Sequence, residues 1–195
     1  MSNSDLVIFD LGGVLVRNID MLSSISRELS IDESALRADY ALYEKAMMAG
    51  LFSIGDYYRH MEDRFHVDIP CDIFRIHFRP VLNPAMTALA DDLRSRGMRC
   101  VIGSNTFQSH WWVIDELDIR RHFDACHASH IIHAVKPEPG FFRTILAIEE
   151  ADARRTHFID DSKANVEAAS LLGIDAWRYD DDDDALYAHF RGLPG

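Results

Sequence analysis

The sequence predicts an α/β protein in which a parallel sheet carries a helical insertion. The first observation is an apolar run at residues 6–9, rich in β-branched and aromatic side chains, as in strands buried on both faces of a parallel sheet. The second is the alternation of short apolar strands with helices of about 10–15 residues after residue 83. The third is that residues 20–81 have only helical periodicity. Together these patterns predict right-handed βαβ units, with a small helical lobe inserted after the first strand.

Length and composition indicate one globular core, or one core and a small lobe. The chain has 195 residues, of which 48% are hydrophobic and 27% are charged. No apolar run approaches the roughly 20 residues that cross a bilayer, and the N-terminus lacks the basic segment of a signal peptide. The formal net charge of −12 argues against nucleic acid and anionic membranes as partners. An anionic small substrate would need a local positive site, such as a bound metal ion.

Neither the cysteines nor the histidines form a metal-binding signature. The three cysteines are scattered and odd in number, which is typical of reduced thiols in a cytoplasmic protein. Three of the ten histidines are spaced by three residues, which is not a usual zinc pattern, and no cysteine or acid completes a set. We therefore expect these histidines in loops or at the surface. The residues concerned are Cys71, Cys100, Cys126, His127, His130 and His133.

Four helices are predicted within the insertion. The first covers residues 21–29, the second begins after the N-cap residue Asp32, the third begins at Ser53, and the fourth covers residues 70–81. Aromatic and methionine side chains recur along the second and third helices, where they either pack in a core or line the roof of a pocket. They are Tyr40, Tyr43, Met47 and Met48 in the second helix, and Tyr57, Tyr58, Met61 and Phe65 in the third.

The segment after residue 83 predicts alternating helices and strands. After the last predicted strand the sequence has five consecutive aspartates, at residues 180–184. The aspartates lack the glycine and the spacing of a calcium-binding loop, so we expect a solvated linker. The predicted strands are 99–103, 124–128, 156–159 and 175–179, and the predicted helices are 86–96, a helix around Trp111, 138–150 and 162–172.

Polar side chains fall at the strand ends or in the loops that follow. Because the carboxyl ends of parallel strands meet at one edge of a sheet, these side chains should converge where open α/β sheets bind ligands. Gly12 and Gly13 would let backbone amides approach a bound anion there. Three carboxylates at one edge would repel one another without a cation, and Mg²⁺ suits an all-oxygen site. The polar residues are Asp10, Ser104, Asn105, Lys136, Asp160 and Asp161.

These groups are suited to phosphoryl transfer. Asp10 has no partner base and can act as a carboxylate nucleophile that forms an aspartyl-phosphate. Lys136 would offset charge on the substrate, while the Ser104 hydroxyl and the Asn105 amide would donate to phosphate oxygens. Phosphoryl transfer needs mainly positioning and charge neutralisation, and these residues supply both.

Four motifs are similar to those of the haloacid dehalogenase superfamily of hydrolases. In chain order they are FDLGGVL, VIGSN, KPEPGFF and FIDDSKANVEAA, and the match covers nearly the whole chain. The resemblance implies a Rossmann-like three-layer core formed by residues 1–16 and 82–195, with a helical cap at residues 17–81. The motif style is nearest to the phosphatase branch that includes sugar phosphatases such as α-D-glucose-1-phosphate phosphatase.

The resemblance also implies roles for the strand-end residues. Asp10 would be the nucleophile, and Lys136 would steady both the nucleophile and the phosphate. Ser104, with Asn105, would hold the phosphoryl group. The implied cofactor is Mg²⁺, with Asp10, the Gly12 carbonyl oxygen and Asp160 as ligands, and with Asp161 close by or acting through water.

Gly12 departs from the family pattern. Most phosphatases of the family have a second aspartate at this position, two residues after the nucleophile, as general acid for the leaving group. General acid catalysis is typically worth about 10²–10⁴-fold, and its loss matters least for acidic leaving groups. We therefore expect a small phosphate monoester such as a sugar 1-phosphate, an acyl phosphate or an aryl phosphate, and we do not expect a phosphomutase.

The insertion is expected to close over the site, because it leaves and re-enters the core beside the catalytic loop. Lids of this kind exclude water and set specificity. The partner implied is a small phosphorylated metabolite, and the sequence leaves both a monomer and a homodimer open. The candidates for contact with the leaving group are Arg17, Asn18, Tyr43, Glu44 and Met47.

Two other functions are compatible with parts of the pattern. A haloacid dehalogenase proper attacks carbon with the same aspartate and needs no metal, but those enzymes have replaced the paired acids that Asp160 and Asp161 retain. A catalytically weak relative would bind a phosphorylated ligand or a protein partner. Gly12 favours that alternative, whereas the retention of Asp10 and Lys136 opposes it.

Overall fold

The computed structural model describes residues 5–192 of the chain. Within that range seven strands form a central five-stranded sheet and a separate two-stranded pair. The strands are β1 (Leu6–Phe9), β2 (Val16–Arg17), β3 (Val81–Leu82), β4 (Arg99–Ser104), β5 (Ala125–Ala128), β6 (Thr156–Asp160) and β7 (Asp175–Arg178).

Ten α-helices surround the strands in the described part of the chain. None of them is long and apolar enough to cross a membrane. The helices are α1 (Leu22–Leu29), α2 (Glu33–Met48), α3 (Ile54–Phe65), α4 (Ile73–His77), α5 (Pro84–Ser95), α6 (Gln108–Glu116), α7 (Ser129–Ile132), α8 (Pro139–Ile148), α9 (Lys163–Ser170) and α10 (Asp183–Arg191).

The sheet has helices on both faces, as the sequence predicted. Its strand order is β5-β4-β1-β6-β7, and all four neighbouring pairs are parallel. Side chains alternate along the central strand β1, so that Val7 and Phe9 pack with α5, α6 and α10, whereas Leu6 and Ile8 pack with α8 and α9. The core is therefore a Rossmann-like three-layer α/β structure.

Helices α1 to α4 form a cap with an apolar core of its own. Phe107, which lies after β4, extends into this cluster and joins the cap to the sheet. The outgoing strand β2 and the returning strand β3 pair antiparallel, with Val16 opposite Leu82 and Arg17 opposite Val81. The chain therefore leaves and re-enters the core side by side, next to the end of β1.

The fourth cap helix is shorter than the sequence predicted. It covers Ile73–His77 rather than residues 70–81, and Val81 belongs to β3. The Asp72 carboxylate begins the helix by accepting from the Arg75 N–H, and Phe78 already has extended backbone. Pro80 explains why the helix cannot continue, because proline has no N–H and disfavours helical backbone at the residue before it.

The aspartate run at residues 180–184 is not the linker that the sequence predicted. Helix α10 begins at Asp183, and the Asp182 carboxylate accepts a hydrogen bond from the Ala185 N–H. Asp181 pairs with Arg17 at 2.6 Å. Negative side chains are favourable at the N-terminus of a helix because they cap its free N–H groups and oppose its dipole. The run therefore caps and starts a helix.

The three histidines spaced by three residues, His127, His130 and His133, lie in different environments. His127 is buried on β5, contrary to the expected loop or surface position, and its Nε2 lies 2.7 Å from Glu149. His130 is half-buried in α7, and His133 is exposed. The three do not belong to any group of described residues whose ligand atoms converge on one point. The cysteines are unpaired, as expected.

Candidate active site

Asp10 lies directly after β1, at the carboxyl edge of the sheet. Its N–H donates to the Ile159 carbonyl of β6 at 2.9 Å, so the central strand pairing extends to this residue. The Leu11 N–H donates to its carboxylate Oδ1 at 2.6 Å, and the residue is 8% exposed. The backbone of the sheet therefore positions this carboxylate.

Lys136 bridges two buried carboxylates at this edge. Its Nζ lies 2.6 Å from Asp10 Oδ1 and 2.8 Å from Asp160 Oδ2. All three residues are buried, Asp160 completely. A buried charge without a partner is strongly destabilising, so each of the three depends on the others.

Burial and the neighbouring charges shift the pKa values of Asp10 and Lys136. Burial raises the pKa of Asp10 to about 7, the Lys136 ammonium opposes that shift, and the Asp160 carboxylate adds to it. Burial by itself lowers the pKa of Lys136, but the two carboxylates outweigh it, and the net direction is upward. A further positive charge nearby would favour ionised Asp10, which is the form that a nucleophile needs.

The three acids predicted from the sequence converge on one point. Asp10, Asp160 and Asp161 each offer a carboxylate oxygen, and these oxygens lie within 4.8 Å of one another. Lys136 contributes one positive charge against the three carboxylates. The donor set consists of oxygens and carries excess negative charge, which fits a hard divalent cation such as Mg²⁺.

The two glycines after Asp10 differ in their backbone. Gly13 has a φ of +76°, and a Cβ there would lie 2.3 Å from Asp161 Oδ2, so only glycine fits. Gly12 is outside the left-handed region, and a Cβ there would meet only Ile19, at 3.1 Å from its Cδ1. Since Ile19 is 45% exposed, its terminal methyl can move aside. The loop geometry therefore does not require glycine at position 12.

Ser104 is the last residue of β4 and Asn105 follows it, and the two side chains have different environments. Ser104 is buried and lines the pocket described below. Asn105 Oδ1 accepts from the Lys136 N–H at 2.8 Å, and its Nδ2 donates to the Lys136 carbonyl at 2.9 Å. The Asn105 amide thus holds the backbone of the lysine loop, whereas the sequence suggested a direct contact with phosphate.

A pocket of about 440 Å³ lies between the sheet edge and the cap. Leu11 and Gly12, the two residues after Asp10, form part of its wall, so the pocket begins beside the carboxylates. Most of the lining is apolar. The other core residues of the wall are Val16, Ser104, Asn105, Thr106 and His110, and the cap residues are Ile19, Asp20, Met21, Leu22, Arg37, Tyr40, Glu44, Met48 and Phe78.

Helix α2 presents a different face to the pocket from the one that the sequence suggested. Glu44 lines the pocket as predicted, but Tyr43 and Met47 do not belong to the described wall. Met47 is 1% exposed in the cap core, and the Tyr43 ring stacks on Phe52. Both faces of this helix carry tyrosine and methionine, so periodicity alone could not choose between them. The residues of α2 that line the pocket are Arg37, Tyr40, Glu44 and Met48.

Arg17 and Asn18 also lie outside the described pocket wall. Arg17 pairs with Asp181 and donates to the Tyr179 hydroxyl at 3.3 Å. Asn18 donates to the Arg79 carbonyl at 2.7 Å. Asn18 therefore connects the two chain segments that join cap and core, and Arg17 connects the outgoing segment to the turn before α10.

On the cap face, Arg37 forms ion pairs and Glu44 has a shifted pKa. Arg37 lies 2.5 Å from Asp20 and 2.8 Å from Glu33. Burial raises the pKa of the Glu44 carboxyl, and a hydrogen bond from Tyr40 opposes part of that shift. Glu44 is therefore the acid of the cap face most inclined to keep a proton.

Two residues that support the site were missed by sequence reasoning. Asn165 donates to both carboxylate oxygens of Asp160, at 3.0 and 3.1 Å, and so orients it. Ser129 Oγ accepts from the Thr106 N–H at 2.9 Å and donates to the Thr106 carbonyl at 3.0 Å, which ties down the loop after β4. Asn165 lies within the fourth motif, five residues after Asp160, and that spacing could have found it. No sequence signal marked Ser129.

The fold and this group of acids around a lysine define a Rossmann-like α/β protein whose helical cap lies over the carboxyl edge of its sheet. The family model described as haloacid dehalogenase-like hydrolase matches residues 4–173. The chain therefore belongs to the haloacid dehalogenase-like hydrolases.

Solved structures of this family share the fold. An enzyme of the family from Bacteroides thetaiotaomicron, solved with magnesium and inorganic phosphate, is 20% identical with a TM-score of 0.80, over 96% of this chain and 99% of that chain. A predicted hydrolase of the family from Porphyromonas gingivalis is 20% identical with a TM-score of 0.81, over 100% of both chains. L-2-haloacid dehalogenase from Xanthobacter autotrophicus, with chloropropionic acid covalently bound, is 14% identical with a TM-score of 0.66, over 98% and 85%.

Proposed function

We propose that the protein is a Mg²⁺-dependent phosphatase that hydrolyses a small phosphate monoester through an aspartyl-phosphate at Asp10. The observation that carries the proposal is the convergence of Asp10, Asp160 and Asp161 around a single lysine, Lys136. This arrangement leaves excess negative charge that a divalent cation would balance. The Bacteroides relative, which was solved with magnesium and phosphate, supports the same interpretation.

Asp10 is the proposed nucleophile. Its Oδ1 accepts from the Leu11 N–H and from Lys136, so Oδ2 is the oxygen that attacks phosphorus. The bond between phosphorus and the leaving oxygen breaks, and the alcohol departs with the electron pair and takes a proton from solvent. Water then attacks the phosphorus of the aspartyl-phosphate and gives up a proton to solvent, the P–O bond to Asp10 breaks, and phosphate and the free carboxylate are released. Lys136 stays within reach of the carboxylate and stabilises negative charge in both steps.

The Mg²⁺ ligands in this proposal are the carboxylates of Asp10, Asp160 and Asp161, with the Gly12 carbonyl oxygen. When bound, Mg²⁺ supplies positive charge that neutralises the phosphate oxygens as charge develops on them. Asn165 holds Asp160 in a constant orientation. Ser104 would hold the phosphoryl group, while Asn105 acts as a positioning residue for the Lys136 loop.

The proposed substrate is a small metabolite whose leaving oxygen needs little help from a general acid. The pocket has the size of a site for a small molecule, and its mostly apolar wall suits a leaving group with an apolar face. The absence of an acid at Gly12 points to sugar 1-phosphates and aryl phosphates rather than sugar 6-phosphates. Specificity within that class is assigned to Tyr40, Glu44 and Met48.

The test is phosphate release from a panel of phosphate esters, with Mg²⁺ and with excess chelator. We expect turnover that depends strictly on Mg²⁺. Asp10→Asn should lower kcat by at least about a thousandfold because it removes the nucleophile but keeps the shape. Asp5→Asn is the matched control, since it makes the same change just before β1, at the opposite edge of the sheet, and should leave the rate unchanged.

Other outcomes would identify the alternatives. Halide release from 2-haloacids in excess chelator, together with no phosphatase activity, would indicate a dehalogenase. Saturable binding of phosphate esters without turnover of any of them would indicate a binding protein. Full phosphatase activity in Asp10→Asn would mean that Asp10 is only a structural acid.

A further inference from the structure

We propose that His157, Asp175 and His189 form a second metal site, suited to a zinc-type divalent ion and separate from the catalytic carboxylates. Asp175 Oδ2 lies 2.9 Å from His157 Nδ1 and 3.1 Å from His189 Nε2. The three ligand atoms all lie within 4.8 Å of one another. The proposal is independent of the phosphatase activity.

The three residues meet at the edge of the sheet opposite the active site. His157 is the second residue of β6, and it pairs in register with Asp175, the first residue of β7. His189 lies in the last turn of α10. Asp160, at the other end of β6, is three residues away from His157, which is about 10 Å along a strand. The two sites therefore cannot share an ion.

The donor set selects the class of ion. Two imidazole nitrogens and one carboxylate suit Zn²⁺ and its transition-metal neighbours, whereas Mg²⁺ and Ca²⁺ prefer oxygen ligands. Zinc bonds of about 2.0 Å in a tetrahedral site separate neighbouring ligand atoms by about 3.3 Å. The two nitrogen–oxygen distances are close to that value. Three protein ligands would leave the fourth position to water.

The surroundings of the site favour a cation. The Asp175 side chain is 49% exposed and that of His189 is 23% exposed, so an ion can enter from solvent, while His157 is buried. The C-terminal end of a helix, where His189 lies, attracts positive charge. The Trp177 ring lies 4.8 Å from the His189 ring and limits its rotation. The ligands are therefore held close to a binding arrangement before an ion arrives.

A bound ion would fasten the last helix to the sheet. A carboxylate only accepts hydrogen bonds, so in the metal-free protein both ring nitrogens that face Asp175 carry protons. Binding replaces these two N–H···O contacts with three bonds to one ion, and each proton moves to the other ring nitrogen or to solvent. Helix α10 and strands β6 and β7 would then be connected through a single centre.

The experiment is a titration of the full chain with Zn²⁺, and with Co²⁺ as a spectroscopic probe, in excess Mg²⁺ that occupies the carboxylate site. We expect one equivalent of Zn²⁺ to bind, and a visible Co²⁺ absorption band that indicates bound nitrogen ligands. Thermal unfolding with and without Zn²⁺ gives a second readout, since an ion that binds only the folded state raises the Tm.

His189→Gln and Asp175→Asn should each weaken Zn²⁺ binding by at least about 10-fold and abolish the Zn²⁺-dependent rise in Tm. His122→Gln is the matched control. His122 Nδ1 lies 2.8 Å from Asp91, so this variant also removes a histidine–carboxylate pair, but one without a second histidine. Asp161→Asn serves as the reciprocal control, because it alters the catalytic acids and should retain the tight Zn²⁺ equivalent.

Two results would overturn the proposal. One is the absence of any Zn²⁺ or Co²⁺ binding in excess Mg²⁺ by the wild-type protein. The other is binding that His189→Gln and Asp175→Asn leave unchanged while Asp161→Asn removes it, which would assign the ion to the carboxylates of Asp10, Asp160 and Asp161. Circular dichroism of each variant in the absence of metal separates lost binding from lost folding.

Discussion

Different interactions stabilise two regions of the molecule, the proposed catalytic edge formed by Asp10, Lys136, Asp160 and Asp161 and the pocket face of the cap. At the edge, Lys136 lies 2.6 and 2.8 Å from two buried carboxylates. The cap face is mostly apolar, and its ion pair between Arg37 and Asp20 has side chains 41% and 53% exposed. Breaking a buried ion pair costs about 3–5 kcal/mol, whereas an exposed one is worth about 0–1 kcal/mol.

This difference separates chemistry from specificity in physical terms. A change at the catalytic edge disturbs a set of charges that depend on one another, so it should affect stability and reaction together. A change on the cap face removes packing against the leaving group, so it should alter which substrate is preferred.

The largest effect is expected for Lys136→Met. The variant leaves Asp10 and Asp160 buried without their cation, so the free energy of unfolding in Mg²⁺-free buffer should fall by about 3–5 kcal/mol, as measured by urea denaturation. Activity should fall by at least about 100-fold. Lys45→Met is the matched control, because Lys45 pairs with Glu138 at 2.6 Å but is 72% exposed. Equal stability of the two variants would contradict the comparison.

The next effect concerns the missing acid at Gly12. A plot of log kcat/KM against leaving-group pKa should be steep for the wild type. Gly12→Asp should flatten it and raise the rate for poor leaving groups by up to about 100-fold, because the backbone and Ile19 allow a side chain there. Gly12→Asn is the control, since it has the same size but no acidic proton. A flat wild-type plot that becomes steep in Glu44→Gln would mean that the cap supplies the proton.

A smaller effect on substrate preference is expected from substitutions on the two faces of α2. Met48→Ala should change the ranking of substrates severalfold and leave chelator sensitivity unchanged, because Met48 lines the pocket. Met47→Ala is the neighbouring control, buried in the cap core, and should instead lower the free energy of unfolding by about 2–5 kcal/mol. If the two variants changed substrate ranking equally, the face of α2 that meets the substrate would have to be reassigned.

The smallest effect is a pH dependence at the contact between cap and core. The His110 ring stacks on Phe78 of the cap segment, with centroids 3.9 Å apart, and burial lowers its pKa from 6.5 to about 3. The unfolded chain therefore binds a proton that the folded protein excludes. The contribution of this neutral histidine to stability is present above about pH 6.5 and is lost as the pH falls toward 3.

Between pH 7 and pH 5 the wild type should lose at most about 2 kcal/mol more of its free energy of unfolding than His110→Gln. Urea denaturation of both proteins at the two pH values measures this difference, and the variant removes the contributions of other titrating groups. The same loss in both proteins would show that His110 does not titrate in this way.

Much of the catalytic edge could be predicted because its signals are local. The run from Leu6 to Phe9 has the composition of a buried strand, and Asp10 follows it directly. Asp160 ends a second such strand and Asp161 follows it. Parallel pairing then brings strand ends to one edge of the sheet, so a correct strand assignment was sufficient to place these acids together.

The cap face could not be predicted in the same way. Tyr40 and Tyr43, and likewise Met47 and Met48, are similar residues at similar helical spacing. A rotation of α2 by one residue, about 100°, exchanges which of them faces the substrate. That rotation depends on how α2 packs against its neighbours in the cap.

The sequence by itself determined the fold class, the order of the five strands of the main sheet and the four motifs at their carboxyl edge, because strand composition and polar strand ends are local properties. Only the tertiary structure decided that Asn105 holds the Lys136 backbone, which face of α2 lines the pocket, and that His157, Asp175 and His189 meet. These contacts join residues from 14 to 32 positions apart or depend on helix packing, and no local pattern encodes such distances.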